Sequence, residues 1–426
     1  MKGKWTQKTL GDIAHSIRGV SYKPEQLRKG YESNTVILLR ATNIQNHKFL
    51  LTDLQFVPAE IVNDDQVCKQ FDIVMCMSNG SKNLVGKSAQ FQHDASMFTC
   101  GSFCSIIRSK DKSNAKFVFV LVNSFDFQKQ LDITLSGSAI NNLQNSQLDQ
   151  FCFNIPEYPE DQQHIADILT SCDEVIEQTE KAIEKYRSIK AGMLQNLFTR
   201  GVDANGKLRP KPEDAPELYK DSPLGKIPKE WAIKTIGQCC SEPMYGLNAP
   251  AIPFDQKHRY IRITDISDIS HKYLKDDVVS PAFYSDQYLV AEGDILFART
   301  GASVGKTYIF DPCDSPLYFA GFLIRFRVNQ DYNPYYIFYQ TETFVFLNWV
   351  SIMSVRTGQP GVNSTEYSTF QMPMPSKKSE QDMIAKRLSS IDAKIETEEQ
   401  ILAKYRSIKL GLMKRLLTPP EGALEA

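Results

Sequence analysis

The 426-residue sequence lacks the features that mark membrane, secreted or zinc-binding proteins. No apolar run approaches the roughly 20 residues that a transmembrane helix needs, and the polar N-terminal segment predicts no signal peptide. The nine cysteines are odd in number and include no Cys-x-x-Cys pair, which argues against a disulfide framework and against a zinc site. We therefore expect a cytoplasmic protein with no metal site and no membrane partner.

Catalytic signatures are also scarce. The sequence contains no Gly-x-Ser-x-Gly and no His-Glu-x-x-His. Gly301 to Gly305-Lys306 comes near a P-loop, but only three residues separate the glycines where four are needed, and its counterpart Gly80 to Gly86-Lys87 has five. Asn333-Pro334-Tyr335-Tyr336 lacks the second proline of the amino-methyltransferase tetrapeptide. These near misses predict a non-catalytic chain with no cofactor of its own.

What the sequence does have is an internal repeat. Lys-Tyr-Arg-Ser-Ile-Lys at 185–190 recurs at 404–409. At that offset of 219, residues 156–199 align without a gap with residues 375–418, and 19 of the 44 positions are identical. A repeat of this length indicates a tandem duplication.

The repeated segments carry apolar residues at steps of three and four, which predicts amphipathic helices. About 38 residues at 1.5 Å each would give two rods of roughly 57 Å. We expect the two to pair as an antiparallel coiled coil, with the interleaved Lys and Arg facing solvent or a partner subunit; the alternative is that each binds a separate partner helix. The predicted pairing residues are Ile165, Leu169, Ile176, Ile183, Tyr186, Ile189, Leu197, Ile384, Leu388, Ile395, Leu402, Tyr405, Ile408 and Leu416.

Two globular units alternate with these helices and share landmarks. Each has an Arg-x-Thr segment, which begins at Arg40 in the first unit and at Arg262 in the second. Each also has an Asp-Ile before an apolar run, a Gly-rich loop and a closing polar loop. Their β-branched and aromatic clusters, broken by Gly, Asn and Asp, predict mixed α+β domains with a pseudo-twofold relationship. The predicted organisation is a first domain at 1–155, a helix at 156–201, a linker at 202–229, a second domain at 230–374, a helix at 375–418 and a tail at 419–426.

This organisation resembles the DNA-specificity (S) subunits of type I restriction–modification systems. The linker Tyr219-Lys220-Asp221-Ser222-Pro223-Leu224-Gly225-Lys226-Ile227-Pro228-Lys229-Glu230-Trp231 is similar to the segment that introduces the second half of that family. The helix motifs Glu380-Gln381-x-x-Ile384-Ala385 and Tyr405-Arg406-Ser407-Ile408-Lys409-x-Gly411-Leu412-Met413 are similar to its conserved regions.

The resemblance implies a function as well as a fold. Each globular unit would be a target recognition domain that reads one half of an asymmetric bipartite sequence in double-stranded DNA. The helices would set the spacing and dock two methylation (M) subunits, through which restriction (R) subunits attach. S-adenosylmethionine and Mg/ATP would belong to those partner subunits, and this chain would have no catalysis of its own.

Residues suited to DNA contact occur at matching places in both halves, although a net charge of −1 does not demand a nucleic-acid partner. Lys, Arg, Ser and Thr contact phosphates, while Arg, Asn and Gln read base edges. The candidates are Arg40, Asn43, Ser78, Asn79, Lys82, Asn83, Lys87, Asn141 and Asn142 in the first half, and Arg262, Arg299, Thr300, Ser303, Lys306, Arg356, Gln359 and Asn363 in the second.

Two alternatives belong to other classes of protein. One is a methyltransferase or nuclease fused to its own specificity region, which would need a cofactor loop and a catalytic tetrapeptide. The other is a coiled-coil assembly protein with no DNA role.

Overall fold

The computed structural model describes residues 4–136, 141–355, 358–420 and 423. The chain divides into two compact units, one formed by Met1–Glu180 with Gln400–Ala426 and the other by Lys181–Glu399. Among the described residues, no helix is both long and apolar enough to cross a lipid bilayer.

The first unit is built on short strands that are mostly antiparallel. Its strands are β1 Trp5–Thr9, β2 Ala14–Arg18, β3 Thr35–Leu39, β4 Ile44–Gln45, β5 Lys48–Phe49, β6 Gln55–Pro58, β7 Ile73–Cys76, β8 Ser88–Gln90, β9 Phe98–Cys100, β10 Cys104–Ser109 and β11 Cys152–Pro156. Its helices are α1 Leu10–Ile13, α2 Ala115–Leu121, α3 Phe125–Ser136, α4 Asn145–Leu148 and the first part of α5 Pro159–Thr199. The largest sheet has the order β2-β10-β7-β8; β1 pairs with β11, and β3 lies between β6 and β9.

The second unit repeats this plan. Its strands are β12 Tyr219–Lys220, β13 Ile227–Pro228, β14 Ala232–Thr235, β15 Met244–Tyr245, β16 Ala251–Pro253, β17 Arg259–Ile261, β18 Val279–Pro281, β19 Asp294–Ala298, β20 Thr307–Ile309, β21 Leu317–Phe319, β22 Leu323–Arg327 and β23 Gln371–Met374. Its helices are α6 Ile236–Cys239, α7 Pro334–Gln340, α8 Phe344–Met353, α9 Ser364–Ser368 and most of α10 Lys378–Leu416, which ends in the first unit.

The strand topology confirms the predicted α+β class and the internal repeat. The order β15-β22-β19-β20 reproduces β2-β10-β7-β8, and the parallel pair β17·β21 corresponds to β3·β9. In each unit an arginine of the large sheet pairs with a buried aspartate at an equivalent place. Arg108 Nη2 lies 2.6 Å from Asp72 in the first unit, and Arg327 Nε lies 2.7 Å from Asp294 in the second.

The two long helices pack antiparallel within each unit, as predicted. In the second unit Arg187 Nη2 lies 2.7 Å from Glu399, and Lys190 Nζ lies 2.7 Å from Asp392. In the first unit the equivalent pairs are Arg406–Glu180 at 2.8 Å and Lys409–Asp173 at 2.5 Å. Each residue of one set is 219 positions from its counterpart, so the repeated hexapeptide makes the same cross-helix contacts twice. The prediction that the basic side chains face solvent or a partner subunit is wrong for Lys190 and Lys409, whose side chains are 14% and 20% exposed. Arg406 is 60% exposed, but it also pairs with a carboxylate of the other helix.

The apolar stripe of the helices packs against the globular cores as well as between the helices. Ile165 and Leu169 join the core of the first unit, and Leu197, Ile384 and Leu388 join that of the second. Ile183 is also buried. The remaining predicted pairing residues are half-buried, namely Ile176, Tyr186, Ile395, Leu402 and Leu416, or more than a third exposed, namely Ile189, Tyr405 and Ile408.

The segment that follows α5 is folded onto the second unit. Residues Asp203 to Lys207 form a turn with Gly206 in the left-handed region at φ 77°. The buried carboxylate of Glu380, in the first turn of α10, accepts hydrogen bonds from the Val202 backbone N–H at 3.0 Å and from Trp231 Nε1 at 3.2 Å. Arg209 Nη1 lies 2.5 Å from the same carboxylate. The linker is therefore tied at both ends to the start of α10.

Candidate nucleic-acid interface

In the first unit, the two polar loops predicted to contact DNA are joined by hydrogen bonds. Ser78 of the Gly-rich loop forms a β-bridge with Asn142 of the closing loop. The backbone N–H of Asn79 donates to the carbonyl of Asn141 at 3.2 Å, and Asn141 Nδ2 donates to the carbonyl of Gly80 at 3.0 Å. Loops that are distant in sequence thus form one polar surface.

Two further candidates extend this surface. Asn83 is exposed, and the partly exposed Lys82 reaches Ser136 at the end of α3, with Nζ 3.2 Å from Oγ. Lys87 is half-buried. The surface therefore presents amides and a cation, the groups that bind base edges and phosphates.

The second unit brings the equivalent loops together by the same backbone pattern. Thr300 forms a β-bridge with Gly361, and the Gly301 N–H donates to the carbonyl of Pro360 at 3.0 Å. Gly301 has φ 69°, and a β-carbon there would lie 2.9 Å from Nε2 of Gln359, so this glutamine packs against the Gly-rich loop. Ser303 lies half-buried in the same loop.

At the end of the second closing loop, the candidate side chain contributes to secondary structure. Asn363 is exposed, but its side chain caps α9 by accepting from the Glu366 N–H at 2.9 Å. Arg356, the remaining candidate of this loop, lies outside the described residues.

Arg299 is the most distinctive candidate of the second unit. Its guanidinium lies 5.0 Å from the ring centroid of Tyr245 and 5.8 Å from that of Phe322. Its Nε is buried without a hydrogen-bond partner. Packing between two rings orients the planar guanidinium and leaves its N–H donors available. Two of those donors match the acceptors O6 and N7 of guanine. Sequence reasoning missed both aromatic partners, because only the fold brings β15, the β19 end and the turn before β22 together.

The glycine before each loop lysine serves packing. Gly86 and Gly305 have φ values of 83° and 87°, and a β-carbon would clash with Leu131 of α3 or Val350 of α8. The Gly-Lys pair therefore marks the place where the loop passes closely over a helix, and this contact accounts for its resemblance to a P-loop.

Several predicted DNA contacts are engaged inside the domains. Asn43 is 2% exposed, and its amide donates to two backbone carbonyls. Arg40 pairs with Asp53 at 3.1 Å.

The second half uses its equivalents in a similar way. Arg262 pairs with Asp265 and Asp277, and its pKa is raised above its usual range chiefly by the hydrogen bonds to Asp265. Lys306 pairs with Asp268 at 2.7 Å. These contacts hold the side chains within their own unit, and their predicted contact with DNA stays a prediction.

Among the described residues, no group of three or more His, Cys, Asp or Glu side chains is arranged to hold a metal ion. Cys104, on the strand beside the Gly-rich loop, is buried, and burial raises the pKa of its thiol to about 12. A thiol in this state is not a nucleophile at neutral pH.

Comparison with known proteins places this arrangement in context. The family model for the type I restriction modification DNA specificity domain matches residues 2–185 and 228–405. The chain is 28% identical to the EcoKI specificity subunit of Escherichia coli K12, over 96% of this chain and 88% of that protein. It is 26% identical to the StySPI specificity subunit of Salmonella potsdam, over 93% and 84%. The S subunit of the type I restriction-modification system of M. genitalium shares the fold, with a TM-score of 0.62 at 14% identity over 98% and 97% of the two chains.

Proposed function

The chain belongs to the type I restriction modification DNA specificity family and is a non-catalytic specificity subunit of such a system, and on that premise we propose that each of its β-rich domains reads one half of a bipartite DNA target. The observation that carries this proposal is the hydrogen-bonded pair of polar loops found in both units. The loop backbone is equivalent in the two, whereas the side chains differ, with Ser78 and Asn142 in one and Thr300 and Gly361 in the other. Equivalent frameworks with different reading groups predict an asymmetric target.

The long helices are the proposed dock for partner subunits. The repeated hexapeptide leaves Ile189 and Ile408 exposed by 40% and 41%. An identical exposed apolar group in each copy suits a partner that binds twice, so we assign this surface to two M subunits, with R subunits attached through them. In this arrangement S-adenosylmethionine and Mg/ATP bind those subunits.

A domain exchange tests the division of labour. The chain would be expressed with its M subunits, and methylated sites in the host genome would be mapped by sequencing. Replacing residues 4–155 with the corresponding domain of a relative should change one half of the methylated sequence and leave the other half and the spacer unchanged. A change in both halves, or methylation that does not depend on this chain, would contradict the proposal.

A further inference from the structure

We propose that Phe103 and Phe322 are wedges that insert their rings between base pairs, one in each half of the target. This inference rests on the proposed function, because it assigns a contact within the same two DNA-reading surfaces. Neither phenylalanine belongs to the polar loops discussed above, yet each lies beside them.

Both rings project from the same type of turn. The Cys104 N–H donates to the carbonyl of Gly101 at 2.8 Å, and the Leu323 N–H donates to that of Ala320 at 2.8 Å. Each phenylalanine is thus the third residue of a four-residue hydrogen-bonded turn, directly before β10 or β22. The two are 219 positions apart, the same offset as the helical repeat.

Each turn is fixed to the Gly-rich loop of its unit. The carbonyl of Phe103 accepts from the backbone N–H groups of Met77 and Ser78 at 2.8 and 3.2 Å. The carbonyl of Phe322 accepts from the N–H of Arg299 at 3.1 Å. A ring held by its backbone against the loop that contacts DNA is placed to meet the duplex together with that loop.

Both rings remain largely exposed in the folded chain, although the guanidinium of Arg299 lies 5.8 Å from the ring centroid of Phe322. Phe103 is 66% exposed and Phe322 is 56% exposed. A single exposed apolar residue is ordinary, but these two occupy equivalent turns in domains whose neighbouring side chains differ. Met77 in one unit stands where the other has Arg299, and Ser78 where the other has Thr300. The ring is kept while its surroundings change.

The chemistry of a phenyl ring selects the mode of contact. It has no donor or acceptor, so on DNA it either touches a thymine methyl group or inserts between bases. A methyl contact specifies one base and would be expected to differ between domains that read different half-sites. Insertion tolerates any base, since every base offers a stacking face. The conservation of the ring across the two domains therefore favours insertion.

The test uses the full chain in complex with its M subunits and a duplex that carries the target found by genome sequencing. 2-Aminopurine, which brightens when it loses its stacking neighbours, replaces one base of a half-site at a time. The methylated base is left unlabelled, because a methyltransferase flips that base. We expect increased fluorescence at one base step in each half-site.

Single variants assign each signal. Phe103→Ala should abolish the fluorescence increase in one half-site and preserve it in the other, and Phe322→Ala should have the opposite effect. Each variant should weaken binding to the target about tenfold. Phe103→Leu should retain the signal, because leucine also acts as a wedge. Phe283→Ala is the matched control, since Phe283 is 56% exposed in the same unit as Phe322, and it should change neither signal. The signal remaining in the untouched half-site shows that each variant is folded.

Two results would overturn the wedge proposal. One is a complex that binds its target without increased fluorescence at any base step. The other is a loss of affinity on replacing thymine with uracil that equals the loss caused by Phe103→Ala or Phe322→Ala, because this would identify a contact with the thymine methyl group. If the complex shows no preference for the target over scrambled duplex, the proposed function itself fails.

Discussion

Lys190 Nζ lies 2.5 Å from the carboxylate of Glu342, and the two side chains are only 14% and 8% exposed. Lys190 is the last residue of the first hexapeptide, and Glu342 follows α7, so the contact ties the long helix to the second globular domain. Asp392 of α10 and the hydroxyl of Tyr339 complete the cluster. The cluster lines a cavity of about 310 Å³, around which the other charged or titratable groups are Arg187, His271, Lys272, Glu396 and Glu399.

This cluster predicts a pH dependence of stability. Burial raises the pKa of Glu342 to about 7, although Lys190 lowers it. A carboxyl group whose folded-state pKa is raised holds its proton longer in the folded chain, so its contribution falls as pH rises from about 4.5 to 7. The stability of Glu342→Gln relative to wild type should therefore increase by about 2 kcal/mol when the pH is raised from 5 to 8. Urea unfolding at the two pH values measures this difference.

The control for that experiment is Glu399→Gln. Glu399 pairs with Arg187 on the same helix pair, but its side chain is 37% exposed. Its substitution should shift stability by a similar small amount at both pH values. An E342Q difference that is also independent of pH would show that Glu342 titrates as an ordinary carboxylate.

The buried carboxylate of Glu380 predicts how the linker is held. Glu380→Ala should destabilise the second unit by roughly 3–5 kcal/mol, because it leaves the buried Arg209 guanidinium without its main partner. Limited proteolysis should then cut within residues 203–230. Glu230 also pairs with Arg209 but is 62% exposed, so Glu230→Ala should cost less than about 1 kcal/mol. Equal protection of the linker in both variants would contradict this account.

The roles of Arg299 and Lys82 are distinguishable on DNA. Arg299→Ala should weaken discrimination at one base pair by about 1–3 kcal/mol, because a bidentate contact to guanine is lost. Arg299→Lys should lose the same discrimination while keeping the charge. Lys82→Ala should weaken binding to every duplex and lower the salt-dependence slope by about one. Fluorescence anisotropy across a salt series measures all three effects. If Arg299→Lys weakened binding to every duplex equally, Arg299 would not read a base.

The length of the helices is expected to set the spacing between half-sites. Four residues inserted into both long helices at equivalent positions add about 6 Å to the pair, which is close to two base pairs at 3.4 Å each. Methylome sequencing of such a variant should show a longer unspecified spacer and unchanged half-sites. An unchanged spacer would separate helix length from target spacing.

The parts of the fold that could be predicted from the sequence are those specified locally. The 3.6-residue periodicity gave α5 and α10, and the 219-residue offset gave the repeat. The pairing of Arg187 with Glu399 depends on the register between distant segments. The sequence does hold one clue to it, because both copies of the repeat have an arginine and a glutamate at these equivalent positions, Arg187 with Glu180 and Arg406 with Glu399. The pairing of Arg40 with Asp53 is likewise not predictable from the sequence, because the two residues are 13 positions apart and no motif links them.

Residues 77–87 connect β7 to β8, and residues 299–306 connect β19 to β20, so the first connection is three residues longer. The strands on either side keep the same order in both sheets, and the glycines that pass over α3 and α8 are 219 positions apart. The change in length is thus absorbed within the loop that we propose to read DNA. If it does read DNA, insertion and deletion in this loop offer a route to new target sequences that leaves the domain fold intact.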